Sequence, residues 1–171
     1  MRESWVAFTS DHGEMLGDHG LLAKKVFYEG AVNVPCLFRP PNGQGQGSTH
    51  ALVNHLDIVA TLIDICGAAP LQDSPSQSIA PLLRGESATS PRQAVLSELG
   101  LPPSAFVMVR TNEHKLSADA KTREPIELYD LAEDPAELHN LIECEDYAEI
   151  QQHLLTHVMN PELSRLDTTA W

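Results

Sequence analysis

The sequence predicts an α/β (α+β) chain: a strand–loop–helix portion at the front, then a small antiparallel sheet closed by a terminal helix. Three observations carry this reading. Ser4 to Thr9 is a short, β-prone apolar run that leads into a glycine-broken loop. Leu56 to Cys66 shows helical periodicity with start and stop signals. Four short strand-like runs then follow between residues 94 and 131, and an antiparallel meander is the simplest arrangement for them.

The elements follow in order. Ser4–Thr9 is expected as a buried strand ending at Ser10, with Gly13, Gly17 and Gly20 breaking any regular element after it. Asn33–Arg39 reads as a second strand, which Pro35 places near an edge or a bulge. Residues 40–48 are rich in Pro, Gly and Gln and form a surface loop. In the helix Leu56–Cys66, Asp57 is a plausible N-cap and Gly67 the stop. Ile58, Leu62, Ile65 and Cys66 make its apolar stripe. Ile79–Leu83 reads as one helical turn ended by Gly85. Ala94–Glu98, Phe106–Arg110, His114–Ala118 and Ile126–Leu131 are the strands of the meander. A last helix runs from about Glu145 to Met159, with Tyr147, Ile150, Leu154, Leu155 and Val158 on one face and Pro161 closing it.

With 171 residues, 42% hydrophobic and 20% charged, the chain has enough apolar material for a real core. A formal net charge of −13 argues against nucleic acid or an acidic membrane face as partner, since both need a basic footprint. No apolar run approaches the roughly 20 residues of a membrane span. The first residues carry no signal-peptide pattern, but a signal could lie upstream, so the compartment stays unspecified. Cys36, Cys66 and Cys144 form no C-x-x-C pair, and Cys36 and Cys66 are expected as buried thiols.

The chemistry concentrates in Asp11-His12-Gly13-Glu14, Leu16-Gly17-Asp18-His19-Gly20 and Lys24. Carboxylate and imidazole suit a divalent cation, and an ammonium suits an oxyanion held beside it. The bland alternative is a turn in which Asp11 bonds its own backbone. A zinc site shared by His12 and His19 lacks further ligands at a suitable spacing.

Together with Tyr28-Glu29 and Val34-Pro35, this segment resembles the sulfatase family of the alkaline phosphatase superfamily. The similarity continues through Val53–Leu62, Ser78–Gly85, Val109-Arg110-Thr111, His114-Lys115, Glu127–Leu131, Asp134-Pro135, Glu137 and Asn140-Leu141, so it covers most of the chain. It implies that residues 1–90 are the C-terminal end of the α/β catalytic domain, with the last strands of an alkaline-phosphatase-like sheet. Residues 91–171 would be the small antiparallel subdomain with its terminal helix. It also implies that Asp11 and His12 are ligands of Ca2+ or Mg2+. Lys24 would be the catalytic, substrate-binding lysine, thirteen positions after Asp11 (24 − 11); Lys25 is the alternative if the alignment slips by one. A histidine at the second metal position is similar to the iduronate-sulfatase and phosphonate-monoesterase branches. The later motifs are expected to be structural, with Leu128, Tyr129 and Leu131 in core and turn, and Asp130, Asp134 and Glu137 fixing turns or solvating a face. Glu98, at a strand end, is a candidate to face the pocket.

The nucleophile motif of this family, C-x-P-x-R or S-x-P-x-R, whose first residue becomes formylglycine, matches no cysteine of this chain: Cys36 is followed by Leu37-Phe38-Arg39. The expectation is therefore a sulfatase C-terminal portion with little turnover and weak metal binding by itself. Sulfate esters would be its substrates in the full enzyme, and self-association through the exposed edge of its sheet is a further expectation. Two other readings stay open: a phosphonate or phosphate monoester hydrolase with the same site, and a non-catalytic assembly module or subunit.

Overall fold

The computed structural model describes residues 3–43, 47–87, 90–101 and 104–165. Strand β1 (Val6–Thr9) pairs antiparallel with β2 (Cys36–Arg39), with Val6 opposite Arg39 and Thr9 opposite Cys36. Between them runs the long loop that ends in the short helix α1 (Glu29–Val32). Helices α2 (His55–Ile65) and α3 (Ala80–Leu83) follow. Strands β3 (Val95–Leu101), β4 (Ser104–Arg110), β5 (His114–Asp119) and β6 (Pro125–Asp130) then form a four-stranded antiparallel meander in sequence order, as expected. The terminal helix comprises α4 (Ala148–His153), a π-helical segment (Leu154–Met159) and α5 (Asn160–Arg165). No helix among the described residues is long and apolar enough to cross a membrane.

The meander sorts its residues by strand alternation. Val109, Leu116 and Leu128 stand opposite one another on β4, β5 and β6. All three are fully buried, and with Val107 and Ala118 they share a core with Leu154, Met159 and Leu163 of the terminal helix. The adjacent row, Arg110, Lys115 and Tyr129, belongs to the opposite face because side chains alternate along each strand. That face receives the front of the chain.

The junction is a charge-balanced cluster. Lys115 is only 2% exposed, and its ammonium meets Glu29 Oε1 at 2.6 Å, Glu137 Oε1 at 2.7 Å and the Phe27 carbonyl at 2.9 Å. All three N–H donors of the lysine are thereby used. Arg110 Nε donates to Glu29 Oε1 at 3.1 Å, and the Glu29 backbone N–H donates to Glu137 Oε2 at 2.6 Å. Two carboxylates thus face two cations. Burial pushes the Glu29 carboxyl up, but Lys115 and then Arg110 draw it below the ordinary glutamate value. Beside the cluster the hydroxyls of Tyr28 and Tyr129 lie 3.4 Å apart.

A second buried pair secures α2. Arg92 donates to both Asp57 oxygens, at 2.6 and 2.7 Å, and to the Pro75 carbonyl at 2.6 Å. Asp57 also accepts the Gln77 N–H at 2.7 Å, so one carboxylate ties together the helix start, the 75–77 loop and the chain entering β3.

Several expectations need correction. The N-cap of α2 is Asn54, and Asp57 is the third residue of a reciprocal capping box. The buried positions of α2 are Asp57, Ile58 and Thr61, whereas Leu62 and Cys66 are exposed, because the ion pair with Arg92 sets which face turns inward. Gly67 does stop the helix: its N–H bonds Asp64 O and that of Ala68 bonds Ile63 O, a Schellman arrangement with Gly67 at φ 67.

Strand β1 is exposed along its length, with Phe8 60% accessible and Leu37 of β2 also 60%, because only β2 pairs with it. Cys36 lies on this uncovered ribbon and is exposed too. The second strand starts at Cys36, just after Pro35, and is an edge strand, as Pro35 implied. Glu137 does not solvate a face, since the junction buries it to 3% exposure.

Pro161 does not close the terminal helix, which continues to Arg165. A proline lacks the N–H for the carbonyl four residues back, here His157, and its ring crowds that carbonyl. The wider π turn over 154–159, where Asn160 N–H bonds Leu155 O, accommodates it.

Replacing Lys115 by Met leaves two carboxylates without their shared partner, and we expect a loss of about 3–5 kcal/mol in urea unfolding. Acid acts on the same cluster. Because the folded-state pKa of Glu29 is depressed, its contribution is complete above the ordinary glutamate value, about 4.3, and is lost as pH falls through the depressed one. The urea midpoint should therefore fall below about pH 4, with a shallower fall in Glu29→Gln.

Candidate active-site loop

The loop after β1 is held by its own backbone and by α1. Gly13 N–H donates to Ala31 O at 2.8 Å. A Cβ at Gly13 would lie 2.0 Å from Gly30 O, so glycine permits this approach. Met15 is buried and bonds Ala23 O at 2.9 Å, while the Glu14 carboxylate accepts the Ala23 N–H. Gly17, at φ 105, donates to Leu21 O and turns the chain around residues 18–20. The His19 ring stacks on Tyr28, with centroids 3.8 Å apart, so it is not directed at His12. These contacts return Lys24 to the end of β1.

Asp11, His12 and Lys24 meet there. His12 Nε2 lies 3.4 Å from Asp11 Oδ2 and 2.5 Å from Lys24 Nζ. It is Lys24, not its neighbour Lys25, that reaches the imidazole. His12 Nδ1 lies 2.7 Å from Gly13 O, and a carbonyl can only accept, so Nδ1 carries the proton and Nε2 presents its lone pair. Ser10 Oγ donates to His12 O at 2.8 Å, and the Asp11 carboxylate accepts the His12 N–H at 3.1 Å. Asp11 therefore combines a turn contact to the His12 N–H with an approach to the His12 imidazole. The adjoining His12 imidazole, the backbone N–H groups at Asp11 and His12 and, further off, Lys24 hold the Asp11 carboxyl below the ordinary aspartate value.

His55, at the start of α2, adds a support for which its sequence position gave no signal. Its Nε2 donates to Ser10 O at 2.8 Å and braces the backbone just before Asp11. Glu29 belonged to the motif but carried no assigned role; it anchors the far end of the loop.

As a cation site the arrangement offers one oxygen and one nitrogen donor. Among the described residues no group of three or more His, Cys, Asp or Glu side chains gathers around a common point. The unprotonated Nε2 and the ionised Asp11 fit two ligand positions of a divalent cation, and the 6–8 oxygen ligands usual for Ca2+ require others. Glu98 faces a cavity beside the start of α2. It lines a cavity of about 130 Å³ with Asn54, Leu56, Arg92 and Glu162, where burial pushes its carboxyl up.

The chain is similar to known proteins over most of its length. The family described as N-sulphoglucosamine sulphohydrolase, C-terminal, matches residues 17–163. Choline-sulfatase of Rhizobium meliloti is 34% identical over 144 residues, which are 82% of this chain and 27% of that protein. Among solved structures, a 2-O GAG sulfatase superposes with a TM-score of 0.84 at 29% identity, covering 97% of this chain and 37% of that one. The phosphonate monoester hydrolase of Agrobacterium radiobacter gives a TM-score of 0.82 at 28% identity, covering 98% of this chain and 36% of that one. The chain belongs to the sulfatase family, and it spans about a quarter of the length of the curated relatives it matches.

The close approach at Gly13 gives a direct check of the loop. Gly13→Ala must separate the loop from α1 and break the Gly13–Ala31 bond. The expected cost is about 1–3 kcal/mol in urea unfolding, with displaced imidazole NMR resonances for His12.

Proposed function

We propose that this chain forms one wall of a sulfatase active site and hydrolyses sulfate esters together with a segment that carries the C-x-P-x-R or S-x-P-x-R nucleophile. The observation that supports this reading most strongly is the convergence of Asp11, His12 and Lys24 at the end of β1. Asp11 Oδ2 and His12 Nε2 would supply two ligands to Ca2+ or Mg2+. Such a cation, when bound, polarises the ester oxygens and lowers the cost of the charge that develops on them.

The chain's own residues have distinct tasks. Lys24 donates hydrogen bonds to the sulfate oxygens and stabilises negative charge as the ester bond breaks. The Gly13 carbonyl keeps the His12 proton on Nδ1, so that Nε2 remains a donor atom. His55 and Ser10 fix the backbone on either side of the pair. None of Cys36, Cys66 and Cys144 is followed by proline two positions later, so formylglycine has to come from another segment. The exposed β1–β2 ribbon, with Phe8 and Leu37, is our proposed contact for that segment; in its absence the same surface would favour self-association.

A phosphonate or phosphate monoester hydrolase is the second reading, favoured by the superposition on the Agrobacterium enzyme and by the histidine at position 12. Aryl sulfate and aryl phosphonate assayed side by side separate the two.

The pure chain is expected to turn over neither ester. Reconstituted with a sulfatase segment bearing the nucleophile motif, it should hydrolyse the sulfate ester, and Lys24→Ala should lower kcat by about 10²–10³-fold. Turnover by the chain alone, or full activity in reconstituted Asp11→Ala, would contradict the proposal.

A further inference from the structure

The terminal helix carries a histidine pair that the active-site loop does not use. His153 and His157 are four residues apart, both exposed, with near-parallel rings whose centroids lie 5.3 Å apart. One stands just before the π segment and the other inside it. The apolar side of this helix, through Leu154, Met159 and Leu163, is committed to the sheet, so the pair looks into solvent.

The hydrogen bonds around His157 set its tautomer. Thr156 Oγ1 lies 2.6 Å from Gln152 O and 2.9 Å from His157 Nδ1. The carbonyl can only accept, so the single hydroxyl proton of Thr156 goes to it. The hydroxyl oxygen is then an acceptor, and Nδ1–H of His157 is its donor. Nε2 of His157 is left with an exposed lone pair. A hydrogen bond of this kind behind a metal-binding imidazole also fixes its ring orientation.

We propose that His153 and His157 form a two-histidine site for a late first-row divalent cation such as Zn2+ or Ni2+, with water completing the coordination. Two imidazoles at i and i+4 lie on one helix face. Binding both to one ion at about 2.0–2.1 Å brings their nitrogens to roughly 3 Å, which small side-chain rotations at two exposed residues can achieve. Imidazole donors select Zn2+, Ni2+ and Cu2+ over the oxygen-seeking Ca2+ and Mg2+. The site is thus chemically distinct from the Asp11–His12 pair. A bound ion would link the residue before the π segment to one inside it and hold that turn in register on the sheet.

The test is calorimetric titration of untagged protein with Zn2+ alone, beside thermal unfolding. One Zn2+ is expected to bind, weakening tenfold or more in His153→Ala and in His157→Ala and less in Thr156→Val. The ion should raise the unfolding midpoint of the wild type but not of His157→Ala. The double variant Asp11→Ala/His12→Ala should bind Zn2+ like the wild type. The proposal is overturned if wild type binds no Zn2+ up to millimolar concentration, if either histidine variant binds like the wild type, or if binding disappears in the Asp11/His12 double variant. Alanine is the best helix former and both sites are exposed, so the variants should fold; far-ultraviolet dichroism checks this.

Discussion

One buried ammonium organises this molecule. Lys115 draws together Glu29 from the front of the chain, Glu137 from the loop after β6 and the carbonyl of Phe27. Desolvating a lysine costs several kcal/mol, and only a complete set of partners offsets it. Here the set is complete, and Arg110 neutralises the second carboxylate. The cluster adds little that a well-packed apolar junction could not. What it contributes is placement, because a charged network tolerates few alternative dockings. The docked element is α1, and α1 holds Gly13 through Ala31. The position of Asp11 and His12 therefore traces back, contact by contact, to a lysine on the far sheet.

The two faces of the meander divide the work. The Val109–Leu116–Leu128 row packs on the terminal helix and gives the sheet an apolar core. The Arg110–Lys115–Tyr129 row carries polar groups and docks the loop segment. Period-two alternation on β5 thus makes one strand serve both stability and site geometry, and β5 is buried over Lys115–Ala118. The loop after β1 needs no regular structure of its own. Its backbone bonds at Gly13, Met15 and Gly17 and the stack of His19 on Tyr28 hold it.

Local signals were legible in the sequence where the physics is local. The alternation of β4 to β6, the stop at Gly67 and the turn at Asp134 could be read from neighbouring residues. The approach of Lys24 to His12 was implied by the family resemblance and not by the residues alone. What escaped the sequence is non-local. Glu137 sits in a stretch that reads as a polar turn, and only residues 29, 110 and 115, distant in sequence, explain its burial. The apolar run of β1 signals a demand for burial, which β2 alone does not meet. On α2 the Arg92–Asp57 pair, 35 positions apart, overrides the stripe that Leu62 and Cys66 suggest. Pro161 reads as a stop, and the π turn before it removes the conflict.

The most direct test of this account is amide hydrogen exchange on Glu29→Ala, which keeps the Lys115–Glu137 pair but removes the anchor of the loop. The account predicts that the amides of Gly13, Met15 and Ala23 lose protection together. Those of Val109, Leu116 and Leu128 should stay protected, since their core lies on the other face of the sheet. Unchanged protection at Gly13, Met15 and Ala23 would contradict it, and would mean that the loop holds the site without the buried cluster.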